Sequence, residues 1–288
     1  MTHNSIKGVY PAVSKSDESL TLYRYRSYSD NNLDSLKNNY LWMSSPLAFN
    51  DPFETVKVIN LPKEKIQELG FSPKIEQNYQ EVIEKSKIFC LCKSNKNLLM
   101  WSYYADGLKG FVIGYDQHKL LESLASEAEA NDLKYQFHVK YEDEMPDVGS
   151  VILERHHSDK ACADAPLDLP ENDFDALRDS YDDKNLQLNE KLFATKNTAF
   201  EHEEEYRIVI QPRQTTKGTI YPQNKQYYAP DAVREIIFGE KMTTETDQIK
   251  LILGAVRDRT DIKLYQAKRK PDSFELEIIP YTIPEEKL

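Results

Sequence analysis

Four carboxylates stand within five residues, at Glu201, Glu203, Glu204 and Glu205, directly ahead of an apolar run in EHEEEYRIVI. Read as a strand from Glu203 to Ile210, the stretch puts Glu203, Glu205 and Arg207 on one face. Tyr206, Ile208 and Ile210 then line the core-facing side. A carboxylate pair at a strand entrance can hold a ribose hydroxyl or stabilise positive charge that develops as a bond breaks. The same residues also describe a solvated charge cluster, so this stretch alone does not choose.

Three distant stretches carry complementary chemistry. In LYRYRS, residues 22–27, Arg24 and Arg26 share one strand face opposite Tyr23 and Tyr25. Two guanidinium forks at that spacing suit a diphosphate, or pair with surface carboxylates. In FNDPFE, residues 49–54, Asn50 and Asp51 are turn formers ahead of Pro52 that could face a ribose or an amide. In LLMWSYYADGLKGFVIGYD, residues 98–116, Trp101, Tyr103 and Tyr104 crowd around Ser102. An aromatic there could stack on a flat heterocycle such as nicotinamide while Ser102 fixes its amide, although Trp101 fits an aromatic core at least as well. His156 and His157 have no third metal ligand at a recognisable spacing and read as surface, and His202 carries no assignable role. No GxGxxG, P-loop, HExxH or Ser-His-Asp signature occurs.

The elements that must position these residues predict an α+β fold, with mixed, mostly antiparallel sheets of short strands and peripheral helices. Strand Thr21–Arg26 precedes a helix capped by Ser29 or Asp30 and ended by Asn38 and Asn39. A strand follows at Tyr40–Ser44, then a helix at Pro73–Ser86 with Ile75, Tyr79 and Val82 at helical spacing. KIFCLCK reads as a buried strand, NLLMWSYY as a helix ended at Gly107, and KGFVIGYD as a strand. A helix at Gln117–Ala130 and the strand LKYQFHVKYE complete that half. REIIFGE, a helix, IKLYQA and FELEIIPY give a β-α-β-β close. Residues 1–288 read as one domain with an acidic insertion at about 142–185. Between Glu142 and Asp183 fourteen Asp or Glu face three Lys or Arg. That balance predicts a partly mobile excursion ending in a helix near Asp173–Ala194, able to shield a site or meet a basic partner.

A net charge of −11, with Lys268–Lys270 the densest cationic stretch, argues against broad, sequence-independent nucleic-acid binding. A single-stranded nucleotide presented to a pocket is still compatible. No run approaches a membrane span, and MTHNSIKGVY lacks a signal-peptide core. Three cysteines without a CxxC pair predict neither a disulfide framework nor a zinc site, and a cytoplasmic location is expected.

Taken in order, LYRYRS, NYLWMSSPLAFNDPFE, NLLMWSYYADGLKGFVIGYD, KNTAFEHEEEYRIVI and REIIFGEKMT resemble, from about residue 20 to 245, the bacterial family catalogued as domain of unknown function 2971. Phe200, where a Trp is usual, and the long acidic stretch depart from its pattern. The motif order resembles in turn the ADP-ribosyltransferase superfamily. That resemblance implies an NAD-dependent ADP-ribosyltransferase acting as a toxin or phage-defence effector, with an ADP-ribosyltransferase-like fold. Its first anchor would be Arg24 or Arg26, its middle residue Tyr104 or Ser102, and its late acid Glu205, with Glu203 orienting the acceptor. Tyr25, Asn50, Asp51, Trp101 and Arg207 would complete the surroundings of NAD, which is a substrate here, and no metal is implied. The acceptor would be a protein or a single-stranded nucleic acid, and an antitoxin or another defence protein a partner. The alternative is a non-catalytic nucleotide-sensing or adaptor module of a bacterial defence system. A third reading is a metal-dependent nuclease built on Asp51, Glu203 and Glu205.

Overall fold

The computed structural model describes residues 20–53, 59, 61–127, 134–166, 168–244, 246–259 and 261–282. In chain order its first elements are β1 (Thr21–Arg26), α1 (Asp30–Lys37), β2 (Tyr40–Trp42), α2 (Lys63–Glu68), α3 (Ile75–Lys85) and β3 (Lys87–Cys92). Next come α4 (Leu98–Tyr104), β4 (Phe111–Asp116), α5 (Gln117–Glu127), β5 (Lys134–His138) and β6 (Lys140–Tyr141). α6 (Val148–Ala163), α7 (Glu171–Phe193), β7 (Thr195–Lys196), β8 (Glu205–Ile210), β9 (Arg213–Thr215) and β10 (Gly218–Ile220) follow. The chain closes with β11 (Lys225–Tyr227), β12 (Val233–Gly239), α8 (Thr246–Val256), β13 (Lys263–Arg269) and β14 (Leu276–Pro280).

The fold class is α+β, with a mixed and mostly antiparallel main sheet. Its strand order is β14-β13-β12-β4-β1-β3-β8-β5. The β1–β4, β1–β3, β3–β8, β4–β12 and β13–β14 ladders are antiparallel, and β12–β13, joined through α8, is parallel. The β-α-β-β close is therefore present. Contacts divide the chain into two compact units. The first draws on residues 1–44, 87–136 and 201–288, and the second on 45–86 and 137–200.

In the first unit the sheet has two covered faces, and side-chain alternation decides which residue lies on which. One face packs Leu22, Phe89, Leu91, Phe111, Ile113, Tyr115, Tyr206, Ile208 and Phe238 against α5 and α8. The other packs Tyr25, Cys92, Val112 and Ile237 against Trp101 and Ala105 from α4 and its end. Arg24 and Arg26 alternate with Tyr25 and belong to the Leu22 side, called here the arginine face. Glu205 and Arg207 alternate with Tyr206 and Ile208 and belong to the Trp101 side, the carboxylate face. Register makes the assignment firm. Tyr23 pairs with Cys92 and Cys92 with Glu205, so one row of side chains crosses three strands on the carboxylate face.

α1 begins as expected, with Ser29 Oγ accepting from the Asn32 amide at 3.2 Å. Asn39 ends it in the left-handed region at φ 54°. Gly110 is required where the chain leaves α4, because a Cβ there would lie 2.1 Å from the Arg26 carbonyl oxygen.

The second unit contains α2, α3, the parallel β6–β7 pair and the α6–α7 hairpin. The acidic stretch expected as a mobile excursion is mostly helix. Val148, Val151 and Ile152 on α6 and Leu188, Leu192 and Phe193 on α7 are buried at helical spacing. The carboxylates lie on the remaining positions, and Lys184 ties the two helices by an ion pair to Glu154 at 2.6 Å. His156 is not simply surface, since its ring meets Phe71 edge-on at 4.6 Å.

Candidate functional site

β8 is shorter than its sequence pattern suggests, and that changes the expected carboxylate pair. The strand begins at Glu205, whereas Glu203 ends a 3-10 turn over Thr198–Glu203. Between them Glu204 takes φ 42°, a left-handed conformation that costs a side-chain-bearing residue about 1–2 kcal/mol. Glu203 and Glu205 thus do not share a strand face. The turn sends them to different partners, and both are buried at 5% exposure.

Glu203 Oε1 accepts from the Tyr104 hydroxyl at 2.7 Å. Glu205 is gripped by its own strand: Arg207 Nε donates to Oε1 at 3.0 Å and Nη2 to Oε2 at 2.9 Å. This two-pronged pair is charge-assisted and almost fully removed from water. On the adjoining strand, burial and then the charge of Glu205 push the Cys90 thiol well above its usual range. Burial likewise raises Cys92 to about 12. Neither thiol is a ready nucleophile.

Asn97 clamps this corner, a role that the spacing of the chemical motifs does not reveal. Its Oδ1 caps α4 by accepting from the Leu99 and Met100 amides at 3.0 and 3.1 Å. Its Nδ2 donates to the His202 carbonyl, within the turn that presents Glu203. One side chain therefore fixes the helix bearing Tyr104 and the turn bearing Glu203. An Asn directly before the apolar run Leu98–Trp101 is a recognisable N-cap signal.

Several residues expected around a dinucleotide are engaged elsewhere. Trp101 is fully buried, edge-on to Tyr25 at 5.5 Å, with its indole N–H donating to the Asn95 carbonyl at 2.8 Å. It is core, with no face to offer a nicotinamide. Tyr25 is buried too and donates to the Ser94 carbonyl at 2.7 Å. Ser102 is exposed and its hydroxyl donates back to the Leu98 carbonyl at 2.8 Å, one helical turn earlier.

Arg24 and Arg26 share a strand face as expected, but it is the opposite face of the sheet from Glu205 and Arg207. A single ligand on one face cannot touch both pairs. Nor do these arginines pair with carboxylates. β1 and β3 meet at Tyr23 and Cys92, and Arg24 Nη1 donates to the nearby Cys90 carbonyl at 2.6 Å.

Asn50 and Asp51 belong to the second unit. Asn50 is exposed, and Asp51 is buried with Oδ1 accepting from the Phe53 amide at 2.9 Å, the turn role its type suggests. Asp51 also lines a recess of about 210 Å³ with Glu142, Asp143, Glu144 and Lys196. Glu54 lies outside the described residues. Among the described residues no group of three or more His, Cys, Asp or Glu could hold a metal ion, and no helix is long and apolar enough to cross a membrane.

No curated protein and no solved structure matches the chain. A family model does match, over a span narrower than the order of the motifs suggests. Residues 100–208, which carry Tyr104, Glu203, Glu205 and Arg207 but neither Arg24 nor Arg26, match the family described as protein of unknown function (DUF2971).

Proposed function

We propose that the carboxylate face is the catalytic face of an NAD-consuming ADP-ribosyltransferase. The observation that carries this reading is the turn at Glu204. It brings two buried carboxylates to the start of one strand, one bound by Tyr104 and the other by Arg207. Cleavage of the nicotinamide–ribose bond sends the bonding pair to the nicotinamide nitrogen and leaves an oxocarbenium-like sugar, as in glycoside cleavage. Glu205 is the group that accepts the ribose 2′-hydroxyl and offsets that positive charge. Glu203, with Tyr104 on its oxygen, orients the acceptor nucleophile and takes its proton. The acceptor is a protein or a single-stranded nucleic acid, in a toxin or phage-defence role.

One observation favours a second reading, a non-catalytic nucleotide-sensing or adaptor module. Both oxygens of Glu205 are already bound by Arg207, and the pair is buried.

The ion pair also dictates the test. A lone Glu205→Gln change strands a buried guanidinium, so loss of activity could simply report unfolding. The informative variants are Glu203→Gln and the charge-matched pair Glu205→Gln with Arg207→Gln, each checked for folding by circular dichroism. They are incubated with labelled NAD and a cell extract, then split between protease and nuclease. Label on one acceptor class with wild type, reduced roughly 100- to 1000-fold in both folded variants, is expected. A folded variant that transfers at the wild-type rate refutes the assignment. Absence of both label and nicotinamide release with wild type favours the module.

A further inference from the structure

The arginine face poses a separate problem. The chain carries 48 acidic against 37 basic side chains, so a carboxylate is statistically easy to find. Yet among the described residues none pairs with Arg24, Arg26 or Arg259. Arg26 makes no hydrogen bond or ion pair there. Its guanidinium and that of Arg24 lie 6.0 and 5.1 Å from the Phe89 ring centre. The Nε atoms of both are buried without a hydrogen-bond partner. Arg259 is held in place through Nη2, which donates to the Leu36 carbonyl at 2.6 Å and to Asn39 Oδ1. A chain of contacts links the three arginines: Phe89 meets Tyr115 edge-on at 6.4 Å, Tyr115 meets Tyr228 at 5.5 Å, and the Tyr228 amide donates to the carbonyl of Asn39, whose side chain accepts from Arg259. The charges of Tyr40, Tyr115 and Tyr228 in turn act on Arg26.

Side-by-side guanidinium groups with buried, unused N–H donors are what a polyanion needs, and the protein supplies no anion of its own. We infer that Arg24, Arg26 and Arg259 form a binding site for the phosphate groups of a diphosphate-bearing ligand, distinct from the carboxylate face. Guanidinium forks match phosphate oxygens two at a time, and the Phe89 ring lies within cation–π reach of two of them. Next to Tyr40, the β2–β11 pair exposes Trp42 and Tyr227 at 49% and 50%, with Tyr227 edge-on to Tyr40 at 6.0 Å. Those rings offer a base of a nucleoside diphosphate something to stack on. Free pyrophosphate shares the anion chemistry without using them. The inference does not rest on ADP-ribosyl transfer, because it concerns the opposite side of the sheet.

Isothermal titration of pyrophosphate and of ADP into the whole chain tests it, with wild type, Arg26→Met, Arg26→Lys and Trp42→Ala compared. Wild type is expected to bind both and to melt at a higher temperature in their presence. Arg26→Met should weaken both ligands at least tenfold. Arg26→Lys, which keeps the charge but loses the fork, should weaken them several-fold and covers the case in which the methionine variant does not fold. A nucleotide ligand predicts that ADP binds more tightly than pyrophosphate and that Trp42→Ala removes only the difference. Equal affinities that Trp42→Ala leaves alone assign the site to the diphosphate group itself. No binding of either ligand to wild type at millimolar concentration, or unchanged affinity in both folded Arg26 variants, overturns the site.

Discussion

The two faces of one sheet treat buried charge in opposite ways. On the carboxylate face Arg207 is fully buried and both its bonds to Glu205 are made, while Glu203 is met by Tyr104. On the arginine face Arg26 is half-buried beside Arg24, and among the described residues no carboxylate pairs with either. A paired buried charge is internally settled and resists removal. An unpaired one is a standing cost that a ligand can relieve. Burial of an arginine therefore says little until its partners are counted.

Breaking the settled pair should have the largest effect. Arg207→Met leaves Glu205 buried without its guanidinium, and a loss of about 3–5 kcal/mol in urea unfolding is expected. That is a large part of a typical domain's stability. A loss under about 1 kcal/mol would show that water or another group already serves Glu205.

Asn97→Ala comes next. It removes the α4 cap and the bond to the turn at His202, so a loss of about 1–2 kcal/mol is expected. Asn97→Asp, which keeps the cap but not the Nδ2 donor, should recover only part of it.

Arg26→Met should differ sharply from Arg207→Met. With no hydrogen bond to lose, it is expected to change stability by less than about 1 kcal/mol in phosphate-free buffer, or to raise it. The pH dependence gives the sign. Burial and then the charge of Arg24 pull Arg26 down from the ordinary arginine range to about 9. The surrounding groups are Arg24 on β1, Tyr40 on β2 with Asp34 on its hydroxyl, Tyr115 on β4, Tyr228 beyond β11, and Arg259 beyond α8. Below about pH 9 the guanidinium is charged in both folded and unfolded chains, and the folded state bears the whole penalty. Between about 9 and the ordinary arginine range the unfolded chain binds more protons, so this contribution favours folding as pH rises. Any advantage of Arg26→Met over wild type should therefore be greatest below pH 9 and shrink above it.

Glu204→Gly is the smallest change proposed. Relief at φ 42° and the added freedom of the unfolded chain nearly cancel, so a shift within about 1 kcal/mol is expected in urea unfolding.

Much of this was legible in local pattern. Alternation placed Arg24 with Arg26 and Glu205 with Arg207, and Ser29 announced its helix. The relation between the two pairs was not, because it depends on the parity of β1 and β8 across β3. That parity is set by the long-range register through Tyr23, Cys92 and Glu205, and a one-residue slip would exchange the faces. The turn at Glu204 was hidden for another reason, since an unbroken run of carboxylates carries no Gly or Asn to announce a left-handed residue. Acid density likewise obscured the spacing of Val148, Val151 and Ile152 that makes α6 a helix.

The most direct test of the catalytic assignment is nicotinamide release from NAD in cell extract, compared between wild type and the charge-matched pair Glu205→Gln with Arg207→Gln at matched folded concentration. Release by wild type is expected to fall roughly 100-fold or more in the variant. Equal release by the folded double variant, or none from wild type with any acceptor present, would contradict the assignment.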